Sequence, residues 1–209
     1  MNLPNALTVG RIVITPLIAV LPFANSWTLR LAAFALFVVA AVSDYVDGKL
    51  ARSRKQETDF GRLLDPLADK LLLVGTFVPM YLLAVRFPFI TPFGDVGLAW
   101  WVIAIVLGRE LFMTIFRQAA ARRGVVIAAI GPAKWKTGFQ LVWQGSAYFW
   151  FFAATLANNR RWRTPAWHGF ALFNGTVGTL VMTAAVVLTI YSFVIYLRSF
   201  GRVFVAPAK

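Results

Sequence analysis

Long apolar runs separated by short charged segments constrain this chain more than any other feature. They recur at about residues 7–22, 29–41, 60–85, 100–122, 131–156 and 170–196, and the segments between them, such as 86–97, are predicted as loops. About 20 apolar residues in a helix cross the hydrocarbon core of a bilayer. Since unpaired backbone groups are not tolerated in lipid, such runs must be helical. The sequence therefore predicts an all-α integral membrane protein, with six transmembrane helices in a single domain over residues 1–209.

The composition supports this interpretation and excludes several other classes. Hydrophobic residues make up 59% of the chain, which is well above a soluble domain. The formal net charge is +13, which in a soluble protein would suggest nucleic acid. Here the basic residues flank apolar runs, so they indicate membrane topology and anionic lipids or substrates, and no nucleic-acid partner is expected. The absence of cysteine excludes disulfides and thiol chemistry.

The basic residues also predict an orientation. Six spans place both termini on one side of the membrane, together with most of the lysines and arginines. By the positive-inside rule, this side faces the cytoplasm of a cell whose inner membrane holds the protein. The arginines predicted on the opposite side are Arg30, Arg86, Arg160, Arg161 and Arg163. The last three run against the rule.

Four of the eight acidic residues lie in one window around the connection between the second and third runs. Asp44 and Asp47 are three residues apart and Asp65 and Asp69 four apart, so each pair shares a helix face. A carboxylate at the bilayer centre costs about 2.5–3.5 kcal/mol, and it usually marks a functional site. An antiparallel pair of helices would gather all four in one pocket, where like charges require a cation between them. Oxygen ligands without nearby histidine or cysteine favour Mg²⁺ or Mn²⁺.

The residues around these aspartates form a motif of fixed spacing. Its members are Asp44, Asp47, Gly48, Ala51, Arg52, Gly61, Asp65 and Asp69. The motif resembles, at every position, the signature of the CDP-alcohol phosphatidyltransferase family. The resemblance implies a polar active-site cavity facing the cytoplasm. In that cavity an alcohol hydroxyl attacks the phosphate of a CDP-linked lipid at a two-metal site and releases CMP.

The resemblance also implies roles for individual residues. Metal ligands are expected at Asp44, Asp47, Asp65 and Asp69, and the last would be a shared ligand or the general base. The CDP-lipid would contact Asp47, Gly48, Ala51, Arg52 and Gly61. The family's amino-terminal pattern is matched by Asn5, Thr8 and Arg11, which makes these residues candidates for the site. In the simpler interpretation, Asn5 and Thr8 cap the first helix.

A second set of charges bears on the acceptor alcohol. It consists of Arg109, Arg117, Lys134 and Lys136, at the cytoplasmic ends of the fourth and fifth runs. Together they predict a cationic pocket for an acceptor that carries phosphate, while Glu110 would orient Arg109 or Arg117. The surrounding patterns resemble the branch of the family formed by bacterial phosphatidylglycerophosphate synthases. The expected reaction is transfer of phosphatidyl from CDP-diacylglycerol to sn-glycerol 3-phosphate by a homodimer.

Three other interpretations stay open from the sequence. A different acceptor would give a cardiolipin synthase or a phosphatidylinositol-phosphate synthase of the same family. An intramembrane prenyltransferase also binds diphosphates through aspartates and Mg²⁺, but its aspartate motifs lie far apart in sequence. A transporter with an acidic cation site would show paired repeats or broken helices, and neither pattern is visible.

Overall fold

The computed structural model describes residues 3–54, 59–125, 127 and 131–200; within the helices, the side chains of residues 3–4, 45–63, 132 and 134 are not described. In this part of the chain there are six long helices: α1 (Leu3–Val20), α2 (Trp27–Arg54), α3 (Asp59–Ala84), α4 (Trp100–Arg122), α5 (Gly131–Asn159) and α6 (Pro165–Phe200). A 3-10 turn, Leu21–Phe23, follows α1. Two short strands, β1 (Phe89–Thr91) and β2 (Gly94–Val96), lie between α3 and α4.

The helices confirm the prediction of an all-α membrane protein. Within the described residues, α1, α2, α3 and α6 are long and apolar enough to cross a bilayer. The helices α4 and α5 fall outside that group because charged and amide side chains interrupt them, for example Arg109, Glu110, Lys136 and Gln144. The number of six spans, and the side of the membrane that each end faces, stay predictions.

The packing order places α1 beside both helices of the aspartate motif. Helix α1 packs against α2 and against α3, α5 packs against α2 and α6, and α4 packs against α6. The centre contains large buried aromatic rings, including Trp143 of α5 in edge contact with Phe77 of α3 at 5.0 Å between ring centroids. The core therefore lies between α3 and α5, just beyond the polar cavity described below.

Tyr148 joins three helices at this core. Its side chain belongs to α5 and is buried, and its hydroxyl lies 3.3 Å from the carbonyl oxygen of Ile18 in α1 and 3.4 Å from that of Gly75 in α3. Since the ring also stacks on Phe37 of α2 at 5.6 Å, this side chain links α5 to α1, α2 and α3.

The segment predicted as a loop at 86–97 contains an antiparallel hairpin. Phe89 pairs with Val96 and Thr91 with Gly94, and Gly94 adopts a φ of 118°, which glycine tolerates. The hairpin packs against α6 where Gly175 and Gly178 leave room for it. A side chain at Gly175 would overlap the backbone of Ile90, and one at Gly178 would lie 2.7 Å from the ring of Phe89. Three-residue strands carry too little periodicity to be recognised in a sequence.

Candidate active site

A polar cavity of about 500 Å³ opens among α2, α3, α4 and α5. Three of the four motif aspartates line it: Asp44 from α2, and Asp65 and Asp69 from α3. The last two stand one helical turn apart, so their carboxylates project to the same side, as the spacing predicts. The expectation that the two faces share one pocket therefore holds for these three side chains.

Arg11 of α1 connects the aspartates of the two helices. Its guanidinium Nη1 donates to Oδ1 of Asp44 and, at 2.8 Å, to Oδ1 of Asp69. The arginine side chain is only 1% exposed, whereas those of Asp44 and Asp69 are 48% and 58% exposed. A buried cation thus holds two carboxylates from behind and leaves their remaining surface open to the cavity.

Thr8 adds a second contact from α1. It is buried one turn before Arg11, and its hydroxyl donates to Oδ1 of Asp65 at 2.8 Å. Asn5, another turn earlier, is also buried. The amino-terminal pattern therefore lies on the face of α1 that meets the aspartates, and the contacts of Thr8 and Arg11 go beyond simple helix capping.

The remaining members of the motif are placed by backbone only. They are Asp47, Gly48, Ala51 and Arg52 on α2 and Gly61 on α3, and their side-chain surroundings lie outside the described part of the chain. The same holds for the side chain of Lys134 on α5. Their predicted roles stay predictions.

The opposite side of the cavity is cationic. Arg117 and Glu110 of α4 and Lys136 of α5 line it. The ammonium of Lys136 donates to Oε1 of Glu110, and Nη2 of Arg117 donates to the hydroxyl of Tyr196 at 3.0 Å. Because Lys136 is buried while Arg117 is exposed, the fold provides one fixed and one accessible positive charge facing the aspartates.

Arg109 lies behind this cationic side. It is 8% exposed and does not line the cavity. Its Nη1 donates to Oε1 of Glu110 at 2.9 Å, and its Nη2 donates to Ser192 of α6 at 3.2 Å. Glu110 therefore has cation partners on two helices. Arg109 positions Glu110 and does not itself face the cavity. The sequence indicated the pairing with Arg109 but gave no sign of Lys136, which is 26 residues away.

Several amide side chains in the cavity were not identified from the sequence as site residues. Gln140 and Gln144 of α5 and Gln118 of α4 line it. Gln144 donates to Thr76 of α3 at 2.8 Å, whereas the buried Nε2 of Gln140 has no hydrogen-bond partner among the described residues. A buried, unsatisfied donor costs about 1–3 kcal/mol, so Gln140 is a candidate contact for a ligand. The signals in the sequence were its spacing of four residues from Lys136 and its place at the end of the Gly131–Gln140 pattern that resembles the synthase branch of the family.

An apolar cavity of about 700 Å³, which is a wide and shallow depression, lies next to the polar one. The two share Ala41 of α2 and Leu141 of α5 in their walls. The apolar one is lined mostly by phenylalanine and valine, with Gly145 and the Ser146–Asn174 pair as exceptions. An amphiphile could place a polar group beside the aspartates and its tails here.

The aspartates suit a divalent cation. One nitrogen atom of Arg11 contacts both Asp44 and Asp69, so two carboxylates from different helices already converge on a single positive centre. Among the residues whose side chains the structure describes, which do not include Asp47, no three acidic, histidine or cysteine side chains form a compact group. Carboxylate oxygens are the ligands that Mg²⁺ and Mn²⁺ prefer, so the donor set fits such an ion.

Comparison with known proteins points in the same direction. The sequence model of the family described as CDP-alcohol phosphatidyltransferase matches residues 1–191. The chain is 30% identical over 210 residues to CDP-diacylglycerol–glycerol-3-phosphate 3-phosphatidyltransferase 2 of Arabidopsis thaliana, covering 97% of this chain and 81% of that protein. It is 38% identical over 144 residues to a probable phosphatidylglycerophosphate synthase of Mycobacterium tuberculosis, covering 68% of this chain and 63% of that protein.

A further relative carries a different name. The chain is 31% identical over 208 residues to a CMP-forming cardiolipin synthase of Oryza sativa, covering 97% of this chain and 58% of that protein. The matches thus span about four fifths of the Arabidopsis protein and less than two thirds of the other two.

Proposed function

The chain belongs to the CDP-alcohol phosphatidyltransferase family, and from this membership we propose that it transfers phosphatidyl from CDP-diacylglycerol to sn-glycerol 3-phosphate. The products are phosphatidylglycerophosphate and CMP. The observation that carries the proposal is that one cavity has carboxylates on one side and a cationic cluster on the other. Relatives named for this reaction support the choice of acceptor.

The donor would use both cavities. Its diphosphate would lie beside Asp44, Asp65 and Asp69, with the cytidine held by the rest of the motif, including Arg52. Its acyl chains would enter the adjacent apolar cavity, whose lining of phenylalanine and valine resembles lipid in polarity. Moving those chains out of the bilayer then costs little, because one apolar environment replaces another.

The charge of the cationic cluster favours a phosphate monoester as the acceptor. Arg109, Arg117 and Lys136 carry three positive charges and Glu110 one negative charge, so these four side chains sum to +2. A phosphate monoester carries about −1.5 to −2 at pH 7. Phosphatidylglycerol, the acceptor of a cardiolipin synthase, carries a single negative charge on a diester. The cluster thus matches glycerol 3-phosphate better, with Arg117 as the accessible contact and Lys136 beneath it.

Family members are generally dependent on divalent metal ions. In this chain Asp44, Asp47, Asp65 and Asp69 would hold such ions, which when bound neutralise the diphosphate and the departing phosphate. Asp69 would accept the proton of the acceptor hydroxyl, since its exposed carboxylate lines the same cavity as the cationic side chains. Thr8 and Arg11 would hold the carboxylates in place from behind. The active site would face the cytoplasm of an inner-membrane protein, and association as a homodimer is part of the same proposal.

The test is an acceptor panel read by CMP release. Purified protein is supplied with CDP-diacylglycerol, Mg²⁺ and one of glycerol 3-phosphate, phosphatidylglycerol or inositol phosphate. We expect release with glycerol 3-phosphate and loss of release on chelation. Asp69→Asn should lower kcat at least 100-fold, the usual minimum for a general base. Asp95→Asn, in the exposed hairpin, is the matched control and should keep full activity.

Two outcomes would contradict the proposal. Equal CMP release with phosphatidylglycerol would favour the cardiolipin synthase alternative, which the rice relative supports. Full activity of Asp69→Asn would remove the proposed base while leaving the family assignment in place.

A further inference from the structure

The arginines predicted on the far side of the membrane form a surface that the proposed reaction does not use. Arg160, Arg161 and Arg163 lie in the turn between α5 and α6, at the opposite end of α5 from Lys136. At 1.5 Å per residue, the rise along α5 separates the turn from the cationic side of the cavity by roughly 36 Å. This is about the thickness of a bilayer, so the turn contacts the other leaflet if the polar cavity opens at one membrane surface.

The turn is a fixed structure. The backbone N–H of Arg160 donates to Leu156 and that of Trp162 to Ala157, both at 2.9 Å. Arg161 adopts a φ of 54°, in the left-handed region where helices usually end with glycine. For a residue with a Cβ this conformation is unfavourable. The chain thus keeps an arginine at a position where glycine would be easier to accommodate.

Tryptophan rings surround this turn, a pattern that is typical of the depth of lipid head groups. Trp162 is in edge contact with Trp167 at 5.9 Å, and Trp167 stacks on Trp150 at 5.8 Å with an angle of 5° between the rings. Tryptophan is enriched where hydrocarbon meets the polar interface. Trp162 lies between Arg161 and Arg163 in the chain, and both arginines are exposed beside these rings.

Two further arginines lie near the turn, and among the described residues no acidic side chain pairs with them. Buried Arg30 donates to Thr155 in the last turns of α5 and lies over the ring of Phe87 at 4.4 Å. The neighbouring Arg86 lies over the same ring at 5.7 Å. Among the residues that the structure describes, none of these arginines forms a salt bridge, and Asp95 is the single acidic residue near this end.

The dipole of α5 does not explain the whole cluster. Cations are favourable at a helix carboxyl terminus, which accounts for Arg160 and Arg161. Arg163, however, precedes the amino terminus of α6 at Pro165, where a positive charge is unfavourable. The helix dipoles thus leave the charge of Arg163 unbalanced, and an external anion at this turn would balance it.

We propose that the Arg160–Arg163 turn binds the phosphodiester of an anionic phospholipid in the leaflet opposite the polar cavity. Guanidinium groups form paired hydrogen bonds with phosphate. The rings of Trp162 and Trp167 would contact the glycerol and the first part of the acyl chains of the same lipid. This site is separate from the donor and acceptor positions, and it does not depend on the reaction proposed above.

The test measures lipid binding by native mass spectrometry. Detergent-purified protein is titrated with phosphatidylglycerol and, separately, with phosphatidylcholine. We expect a phosphatidylglycerol adduct that phosphatidylcholine does not form to the same degree. The pair Arg160→Gln and Arg163→Gln should weaken this adduct about 30-fold, from the usual gain per basic residue at an anionic surface. Arg198→Gln, an exposed arginine at the other end of α6, is the matched control and should leave it unchanged.

A second variant separates lipid binding from a structural role. Arg161→Gly removes one guanidinium and relieves the left-handed backbone strain, so it should raise the thermal unfolding midpoint while weakening the adduct about fivefold. CMP release by all three variants should match the unaltered protein. An adduct insensitive to these substitutions, equal binding of phosphatidylcholine, or displacement by inorganic phosphate at the lipid's own concentration would each overturn the proposal.

Discussion

At the residue scale, Arg11 is the cation that offsets the repulsion between the carboxylates of Asp44 and Asp69. It is buried while its two carboxylate partners are about half exposed, so the cation is fixed and the anions are available. Replacing Arg11 by glutamine would leave Asp44 and Asp69 repelling each other. We expect a loss of about 2 kcal/mol in the free energy of unfolding, below the value for a fully buried pair because the partners are solvated.

The response of Arg11→Gln to metal ions shows whether its loss of stability comes from charge repulsion or from lost packing. With Arg11→Gln, excess Mg²⁺ should restore part of the thermal unfolding midpoint, because a bound cation offsets the same repulsion. The unaltered protein should gain less from Mg²⁺. Arg11→Lys keeps the charge and should show a smaller loss without added metal. A loss of equal size in chelator and in Mg²⁺ would mean that Arg11 stabilises α1 by packing alone.

The sequence predicted the positions of the carboxylates better than their partners. The spacing of Asp65 and Asp69 determines their common face, since helical geometry alone sets it. The contacts made by Arg11 could not be derived in this way, because they join residues 33 and 58 positions apart. The same holds for Glu110, whose link to Lys136 depends on how α4 and α5 are placed side by side.

At the scale of elements, the β-hairpin packs directly against helix α6. Gly175 allows the backbone of Ile90 to approach α6, and any side chain at this position would overlap that backbone. Gly175→Ala should therefore destabilise the protein by about 2–3 kcal/mol, as overpacking against an immobile neighbour does. The measurement is the unfolding midpoint in detergent.

Gly169 on the same helix provides the control. A Cβ there has no atom within 4 Å, and alanine favours helix by about 1 kcal/mol over glycine. Gly169→Ala should thus be neutral or stabilising. Equal effects of the two substitutions would show that the hairpin is not packed against α6 as described.

Element boundaries followed closely from the sequence for the third and fourth runs, whereas α6 extends four to five residues beyond its predicted run at each end. The predicted third helix at 60–85 corresponds to Asp59–Ala84, because charged and proline-containing segments bound it. The hairpin was missed because its three-residue strands carry too little periodicity, and because the glycines of α6 against which it packs lie far along the chain.

At the scale of the whole molecule, the adjoining polar and apolar cavities predict a dependence on the donor's chain length. Gly145 lines the apolar cavity, and a Cβ there would make ordinary contact with Phe37 at 3.5 Å. Gly145→Leu would extend further into the space proposed for acyl chains. We expect kcat/KM for a long-chain donor to fall about tenfold. This corresponds to about 1.4 kcal/mol, within the roughly 1–3 kcal/mol that one misfitting methylene group costs in an apolar pocket.

Donors of different length test this directly. A short-chain CDP-diacylglycerol should lose less activity in Gly145→Leu than a long-chain one, and Gly145→Ala should resemble the unaltered protein. The same loss with every donor would place the acyl chains elsewhere and indicate general disruption of α5.

The hydroxyl of Tyr148 has a consequence for selectivity. It ties α5, which carries Lys136, to α3, which carries Asp69, and to α1 behind them. We therefore expect a fixed distance between the phosphorus that is attacked and the phosphate of the bound acceptor. Glycerol, with three carbons, would match this distance. In a longer polyol phosphate, the terminal hydroxyl and the phosphate could not both occupy their positions, even if the cationic side chains bound the phosphate tightly.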